Sequence, residues 1–218
     1  MRRKLQDVFE TKVWPSSAKG TRSGPGSTLK ATERVRAALP DVLKRYKVKT
    51  FFDAPCGDFY WMREVDLGKR TYIGGDISSE IIADVTEQYA SDKVSFVHID
   101  ITSDPLPKAD MMMCRDCLFH LKDRFKWGFL RNFAEGPIPY LMMTMHHFDQ
   151  NNHLSDTGNF QPFSPMAAPF NFPAPIEMVH ETVDELPDDV ANAPDARQIK
   201  SLGIWKRKDV KAVVEAQG

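Results

Sequence analysis

The chain has 218 residues, 42% of them hydrophobic, enough to bury a sizeable core as one domain, and no segment divides it into two. With 29 Lys and Arg against 30 Asp and Glu the formal net charge is −1, so no global field draws it toward nucleic acid or an anionic membrane surface. A small or neutral partner is expected instead.

No apolar run reaches transmembrane length, and the start, MRRKLQDVFE, has no hydrophobic stretch or cleavage site behind its charges. Three cysteines, Cys56, Cys114 and Cys117, suit a reducing compartment better than a disulfide framework. A cytoplasmic location is therefore expected.

Residues 1 to about 26 hold scattered apolar positions (Val8, Phe9, Val13, Trp14) and then SAKGTRSGPGS, which reads as a flexible arm. Ser27 or Thr28 is placed to cap a helix in which Val35, Ala38, Leu39, Val42, Leu43 and Tyr46 recur at helical spacing. Thr50, Phe51 and Phe52 form a β-favouring run that passes abruptly through Asp53, Ala54, Pro55, Cys56, Gly57 and Asp58. The aromatic cluster containing Trp61 then opens a helix expected to run from Phe59 to about Leu67, with Gly68 as its stop. Strand, tight turn and helix start leave backbone N–H groups unpaired, and Gly57 lets a nucleotide-like ligand come close. Asp53 and Asp58 make that turn negative where a phosphate loop would be basic, so a cationic, phosphate-free ligand fits better.

TYIGGD is a second strand ending in Asp76, about twenty residues past the turn, the spacing at which an acid meets ribose hydroxyls. A carboxylate suits this because its oxygens accept from both hydroxyls of one ribose. The helix SSEIIADVTEQYA puts Ile81, Ile82, Val85 and Tyr89 on one face, and VSFVHID is a third strand ending at Asp100. ADMMMCRDCLFHL is a fourth, delivering Arg115, Asp116 and His120 to the ligand-binding edge of an open sheet. FHLKDRFKWGFLRNFA reads as a helix with Phe125, Phe129, Leu130 and Phe133 inward, and PIPYLMMTMHH is a fifth strand carrying Thr144, His146 and His147 to the same edge. Repeated βα steps predict a right-handed, mostly parallel sheet. Residues 148–175 are aperiodic, and Phe160, Phe163, Phe170 and Phe172 there favour an ordered lid over disorder. IEMVHETV and QIKSLGIWKRK, either side of an acidic linker from Asp184 to Arg197, are the last strands.

Asp53-Ala54-Pro55-Cys56-Gly57-Asp58 resembles motif I of class I S-adenosylmethionine-dependent methyltransferases, in the Asp-x-Pro-Cys-Gly-Asp form written by some bacterial and phage members. The resemblance spans residues 20 to 208 and implies an α/β, Rossmann-like class I methyltransferase fold: a single doubly wound, mostly parallel sheet with an antiparallel last strand. It also implies S-adenosyl-L-methionine as cofactor, with Ser23, Gly24, Gly26, Ser27 and Thr28 matching part of a cofactor lid. Residues 1–27 would then be an N-terminal arm and lid, and 28–218 the methyltransferase domain, with 148–175 as a substrate lid. The residues expected at the cofactor are Ser27, Thr28, Asp53, Pro55, Cys56, Gly57, Asp58, Trp61, Asp76, Ile77, Asp100, Ile101, Arg115 and Asp116. Asp100 would accept from the adenine amino group, with Ile101 against the ring. Two departures stand out. The usual Gly-x-Gly is reduced to Cys56-Gly57, and Cys114-Arg115-Asp116-Cys117 replaces the Asn/Asp-Pro-Pro-aromatic box, which weighs against base or amide nitrogens as acceptors.

Methyl transfer from a sulfonium asks the protein mainly to align donor and acceptor and exclude water. Where the acceptor must lose a proton, His146, placed first for its strand-end position, His147, His120 and Asp116 are the candidates. Asp116, His120, His146, His147 and Asp149 lack compact ligand spacing, so no metal is expected, and Cys114 and Cys117 lack the second pair a zinc site needs. The reading is methyl transfer to a small-molecule or sugar acceptor, O- or N-linked. The alternatives are a non-catalytic methyltransferase-like scaffold and an NAD(P)-dependent oxidoreductase, which would want Gly-x-Gly-x-x-Gly where the chain reads PCGDFY.

Overall fold

A computed structural model of the chain describes residues 2–11, 20–193 and 196–217; Val13 and Trp14 lie outside them. Its seven-stranded sheet runs in the order β3-β2-β1-β4-β5-β7-β6. β1 (Thr50–Asp53), β2 (Thr71–Asp76), β3 (Val94–His98), β4 (Met111–Cys114) and β5 (Tyr140–His146) are parallel. β7 (Lys200–Lys206) enters antiparallel between β5 and β6 (Glu177–His180). The expected fold class is the one observed. All of β4 and most of β1 are buried, as a strand covered on both faces must be, whereas β3 alternates in burial as an edge strand does.

Side-chain alternation divides the core into two layers. Phe51, Met111, Met113 and Met142 pack with α2 (Glu33–Arg45) and α3 (Ser79–Tyr89). Phe52, Met112 and Met143 pack with α4 (Asp123–Glu135) and α5 (Arg207–Gln217) on the other face. Strand order reverses between β1 and β4, so a crevice opens at their carboxyl ends, where open α/β sheets bind ligands.

Several elements differ from expectation. Residues 2–11 are not a loose arm but α1 (Arg2–Thr11), whose Leu5 is buried and whose Phe9 packs beside it. The Thr28 hydroxyl accepts from Ala31 N–H one turn early, and Thr32 occupies the N-cap of α2 with its hydroxyl turned back to Thr28 O. No α-helix follows Gly57: Gly57 and Phe59 both have positive φ (54° and 57°), which an α-helix cannot carry, and only a short 3-10 turn at Met62–Glu64 forms. The segment's apolarity is used differently, Phe59 settling 5.0 Å from Tyr72 and 5.3 Å from Phe96. α4 begins at Asp123, the preceding Leu118–His120 being a separate 3-10 turn. Helix α5 was not anticipated.

The 148–175 segment is mostly wall rather than lid. Phe163, Phe170 and Phe172 are buried, Phe170 stacking on Trp127 at 4.7 Å and Phe172 meeting Trp205 at 5.5 Å. They supply the apolar layer that a crossover helix between β5 and β6 would otherwise provide. Phe160, 47% exposed, is left at the sheet rim.

Candidate active site

The crevice at the switch point is a trough of three connecting compartments. The inner one lies beyond the tips of β2 and β3, lined by Ile77, Ile99, Asp100, Ile101 and Leu121, with Leu5 and Phe9 of α1 contributed from the N-terminus. It shares Phe9, Pro55, Asp76, Ile77 and Cys117 with the central compartment, which adds Ser27, Cys56, Gly57, Trp61, Ile81 and Arg115. Asp116, His120 and Ser23 then lead to an outer compartment holding Phe119, His146, Phe160, Arg197 and Lys200.

Asp76 closes β2 and is 7% exposed. It accepts from Gly57 N–H at 3.0 Å and Ser78 N–H at 2.9 Å, so it braces the turn and still has lone pairs facing the trough. Burial raises its pKa against the pull of those N–H groups. Gly57 must be glycine twice over: its φ is positive, and a Cβ would sit 2.3 Å from Ser23 Oγ. Asp100, just past β3, binds Thr102 N–H (2.9 Å) and Oγ1 (2.6 Å) through Oδ1. Its Oδ2 is buried with no hydrogen-bond partner among the described residues. A buried carboxylate oxygen left without a donor costs free energy unless something supplies one.

Asp53 and Asp58 are committed to the protein itself. Asp53 lies beneath the trough and accepts from Tyr72 OH at 2.8 Å; burial pushes its pKa up to about 7. Asp58 accepts from Thr21 Oγ1, Arg22 N–H and Ser23 Oγ, pinning the 21–23 strap at the edge of the trough. Thr28 is turned away on Pro25 O and Ala31 N–H. None of these three expected cofactor contacts lines the trough.

Arg115 is buried and fully engaged: Nε donates to Glu181 at 2.6 Å, one terminal nitrogen to Gly26 O at 2.9 Å, and the other lies 3.3 Å from Asp116. Lys200 Nζ is 2.5 Å from both Asp116 oxygens and 3.7 Å from Glu181. Burial works to raise the Asp116 pKa, but the charges of Arg115 and Lys200 outweigh it and hold it well below the ordinary carboxylate range. Asp116 is thus an anchored anion rather than a proton acceptor. Lys200 and Glu181 were not singled out from sequence, since no local pattern marks residues that meet across 66 to 84 positions.

The histidines separate by hydrogen bonding. His146 Nδ1 accepts from Phe163 N–H at 3.2 Å, which places the proton of the neutral ring on Nε2. Burial, helped by Lys200, lowers its pKa to about 4. His147 leaves the trough and meets the Ser201 hydroxyl at 2.9 Å. His120 Nδ1 faces Asn159 O at 2.8 Å; a carbonyl only accepts, so Nδ1 carries a proton. Among the described residues, no group of three or more His, Cys, Asp or Glu side chains could hold a metal ion. None of the described helices is long and apolar enough to cross a membrane.

No family model and no curated protein matches the chain. Among solved structures it is similar to the N-methyltransferase NodS from Bradyrhizobium japonicum WM9 in complex with S-adenosyl-L-homocysteine (12% identity, TM-score 0.59, covering 94% of this chain and 97% of that one). It is likewise similar to a SAM-dependent methyltransferase from Leishmania major (14%, TM-score 0.64, 94% and 82%). A third is the Burkholderia thailandensis 1,6-didemethyltoxoflavin-N1-methyltransferase with bound 1,6-didemethyltoxoflavin and S-adenosylhomocysteine (16%, TM-score 0.54, 81% and 77%). At such identities the likeness establishes the Rossmann-like fold.

Proposed function

We propose that this protein is an S-adenosylmethionine-dependent methyltransferase acting on a small-molecule acceptor. The observation that carries the reading is the pairing of Asp76 and Asp100 at adjacent strand tips along one trough, Asp100 presenting a buried oxygen that lacks a donor. An adenine amino group is a donor of the right kind, and Ile77, Ile101 and Leu121 give the apolar surround a purine ring needs. Asp76 takes the ribose hydroxyls, and Gly57 lets the ligand approach the turn. Leu5 and Phe9 of α1 close the inner compartment, so the N-terminal segment acts as the cofactor cover. Asp-x-Pro-Cys-Gly-Asp serves here as motif I.

Bound S-adenosylmethionine supplies a methyl group on a sulfonium, a leaving group already activated. The chain's own task is alignment and exclusion of water. Trp61 and the Arg115 guanidinium, 5.2 Å from its ring, form the side wall of the central compartment. His120 lines both the central and the outer compartment, where a hydroxyl or ammonium acceptor would give up its proton. His146, by contrast, orients the acceptor as an Nε2–H donor.

Calorimetric titration with S-adenosylhomocysteine and, in parallel, NADH tests the reading. Binding of the former alone is expected, weakened at least about tenfold by Asp100→Ala or Asp76→Ala, the scale of a lost charge-assisted hydrogen bond. Binding of NADH instead, or indifference to both, would overturn it.

A further inference from the structure

The outer compartment has a chemistry of its own, and its reading rests on the methyl-transfer function proposed above. One side is a wall of rings in edge contact: Phe119 lies 5.5 Å from His146 and 5.1 Å from Phe160, with His120 4.4 Å from Phe119. The strap from Ser23 to Gly26 lines the same compartment. Two of its positions call for glycine: Gly24 has a φ of 88°, and a Cβ on Gly26 would come within 2.6 Å of Asp116 Oδ2. Rings and strap together line the slot. At its mouth the Arg197 guanidinium stands 6.0 Å from the centre of the Phe160 ring.

Several polar groups of the slot are already engaged. Both Asp116 oxygens are taken by Lys200, the Ser23 hydroxyl by Asp58, and His146 Nδ1 by Phe163 N–H. A sugar, which needs several donors and acceptors in return for its own, is left with His146 Nε2–H, Gln198 and Arg197. The formal charge of the lining favours an anion, since Lys200 balances Asp116 and Arg197 is in excess. We infer that the methyl acceptor is a flat aromatic compound carrying an anionic substituent, its ring in the slot between Phe160 and the Gly24–Gly26 strap and its anion against Arg197. The reacting atom then lies at the His120 end, where the slot joins the central compartment.

The test uses the full-length protein saturated with S-adenosylhomocysteine, titrated with 4-hydroxybenzoate, 4-hydroxybenzamide, cyclohexanecarboxylate and methyl glucoside. The aromatic acid should bind about tenfold more tightly than the amide, as a charge-assisted hydrogen bond predicts. It should also outbind the non-aromatic acid and the glycoside. Arg197→Gln should erase the preference for acid over amide without changing S-adenosylhomocysteine affinity, and Phe160→Ala should weaken both aromatic probes. Equal binding of acid and amide, a glycoside that binds as well as the aromatic acid, or no probe binding to a protein that does take up S-adenosylhomocysteine would each overturn the acceptor class alone. Failure to bind S-adenosylhomocysteine would overturn the methyl-transfer reading and this inference with it.

Discussion

Replacing Lys200 by Met tests whether the rim is held by charge. Lys200 and Asp116 are 14% and 18% exposed in their side chains, with Nζ 2.5 Å from each carboxylate oxygen. Arg115, Lys200, Asp116 and Glu181 together balance, and the substitution leaves one negative charge in excess in a largely buried cluster. Breaking a buried pair by removing one partner costs about 3–5 kcal/mol, and the residual exposure places Lys200→Met near the lower end, about 3 kcal/mol. Asp116→Asn in the same chain removes the stranded charge and should recover at least about half of that loss. Urea unfolding of the wild type, both single variants and the double variant gives the coupling directly. The native state holds the Asp116 pKa below its unfolded value, so its stabilisation is present above the unfolded pKa, about 3.9, and is lost as pH falls below it. The Lys200→Met penalty should therefore be full at pH 7 and shrink below about pH 4. A coupling energy under about 0.5 kcal/mol, typical of exposed pairs, would refute the argument.

Asp53 should behave oppositely. Burial raises its pKa to about 7, so its contribution is most favourable below the unfolded value near 3.9 and is lost as pH rises through 7. Asp53→Asn, which can still accept from Tyr72 OH, is expected to stabilise the protein at pH 8 by up to about 4 kcal/mol and to change little at pH 4, read from urea midpoints at both. Gly57→Ala forces a side chain into a positive φ and against Ser23 Oγ, so it should cost about 1–3 kcal/mol and weaken S-adenosylhomocysteine binding. Ser23→Gly in the same chain should return only part of the loss, because the φ strain remains; full recovery would count against this account. Leu5→Asp, on the face of α1 that covers the inner compartment, should lower S-adenosylhomocysteine affinity about tenfold, the scale of one buried apolar side chain. Unchanged affinity in calorimetry would show that α1 is no cover.

How far the sequence could be read depends on how locally each feature is encoded. The strand cores TFFD, TYIGGD, MMMC and YLMMTMH were legible because strands buried on both faces are continuous apolar runs. Phe59, Trp61, Met62 and Val65 are as apolar as any helix face, yet they bury through irregular turns because Phe59 takes a left-handed conformation no propensity scale foresees. α5 buries only Val210 and Val213, a stripe too narrow to stand out beside its lysines. α1 likewise has a single fully buried apolar residue, Leu5, among its described side chains.

The acids show the same division at the site. Sequence places Asp53, Asp58, Asp76, Asp100 and Asp116 at strand ends and turns, and all five are expected at the cofactor. What separates them is how much acceptor capacity the rest of the chain consumes. Asp58 is spent on residues 21–23 and Asp116 on Lys200, partners 35 to 84 positions distant, and Asp53 is sealed under Tyr72. Asp76 holds the turn with lone pairs to spare, and Asp100 keeps an oxygen that nothing in the described chain satisfies. A fold that invests two acids in fastening one strap, Asp58 at residues 21–23 and Asp116 through the Arg115 that grips Gly26 O, is holding that strap at a fixed height over the trough. Strap height sets the width of both the central compartment and the outer slot, since Ser23 lines each. Loosening it at Asp58 should therefore weaken donor and acceptor binding together, whereas a change at Asp100 should touch the donor alone.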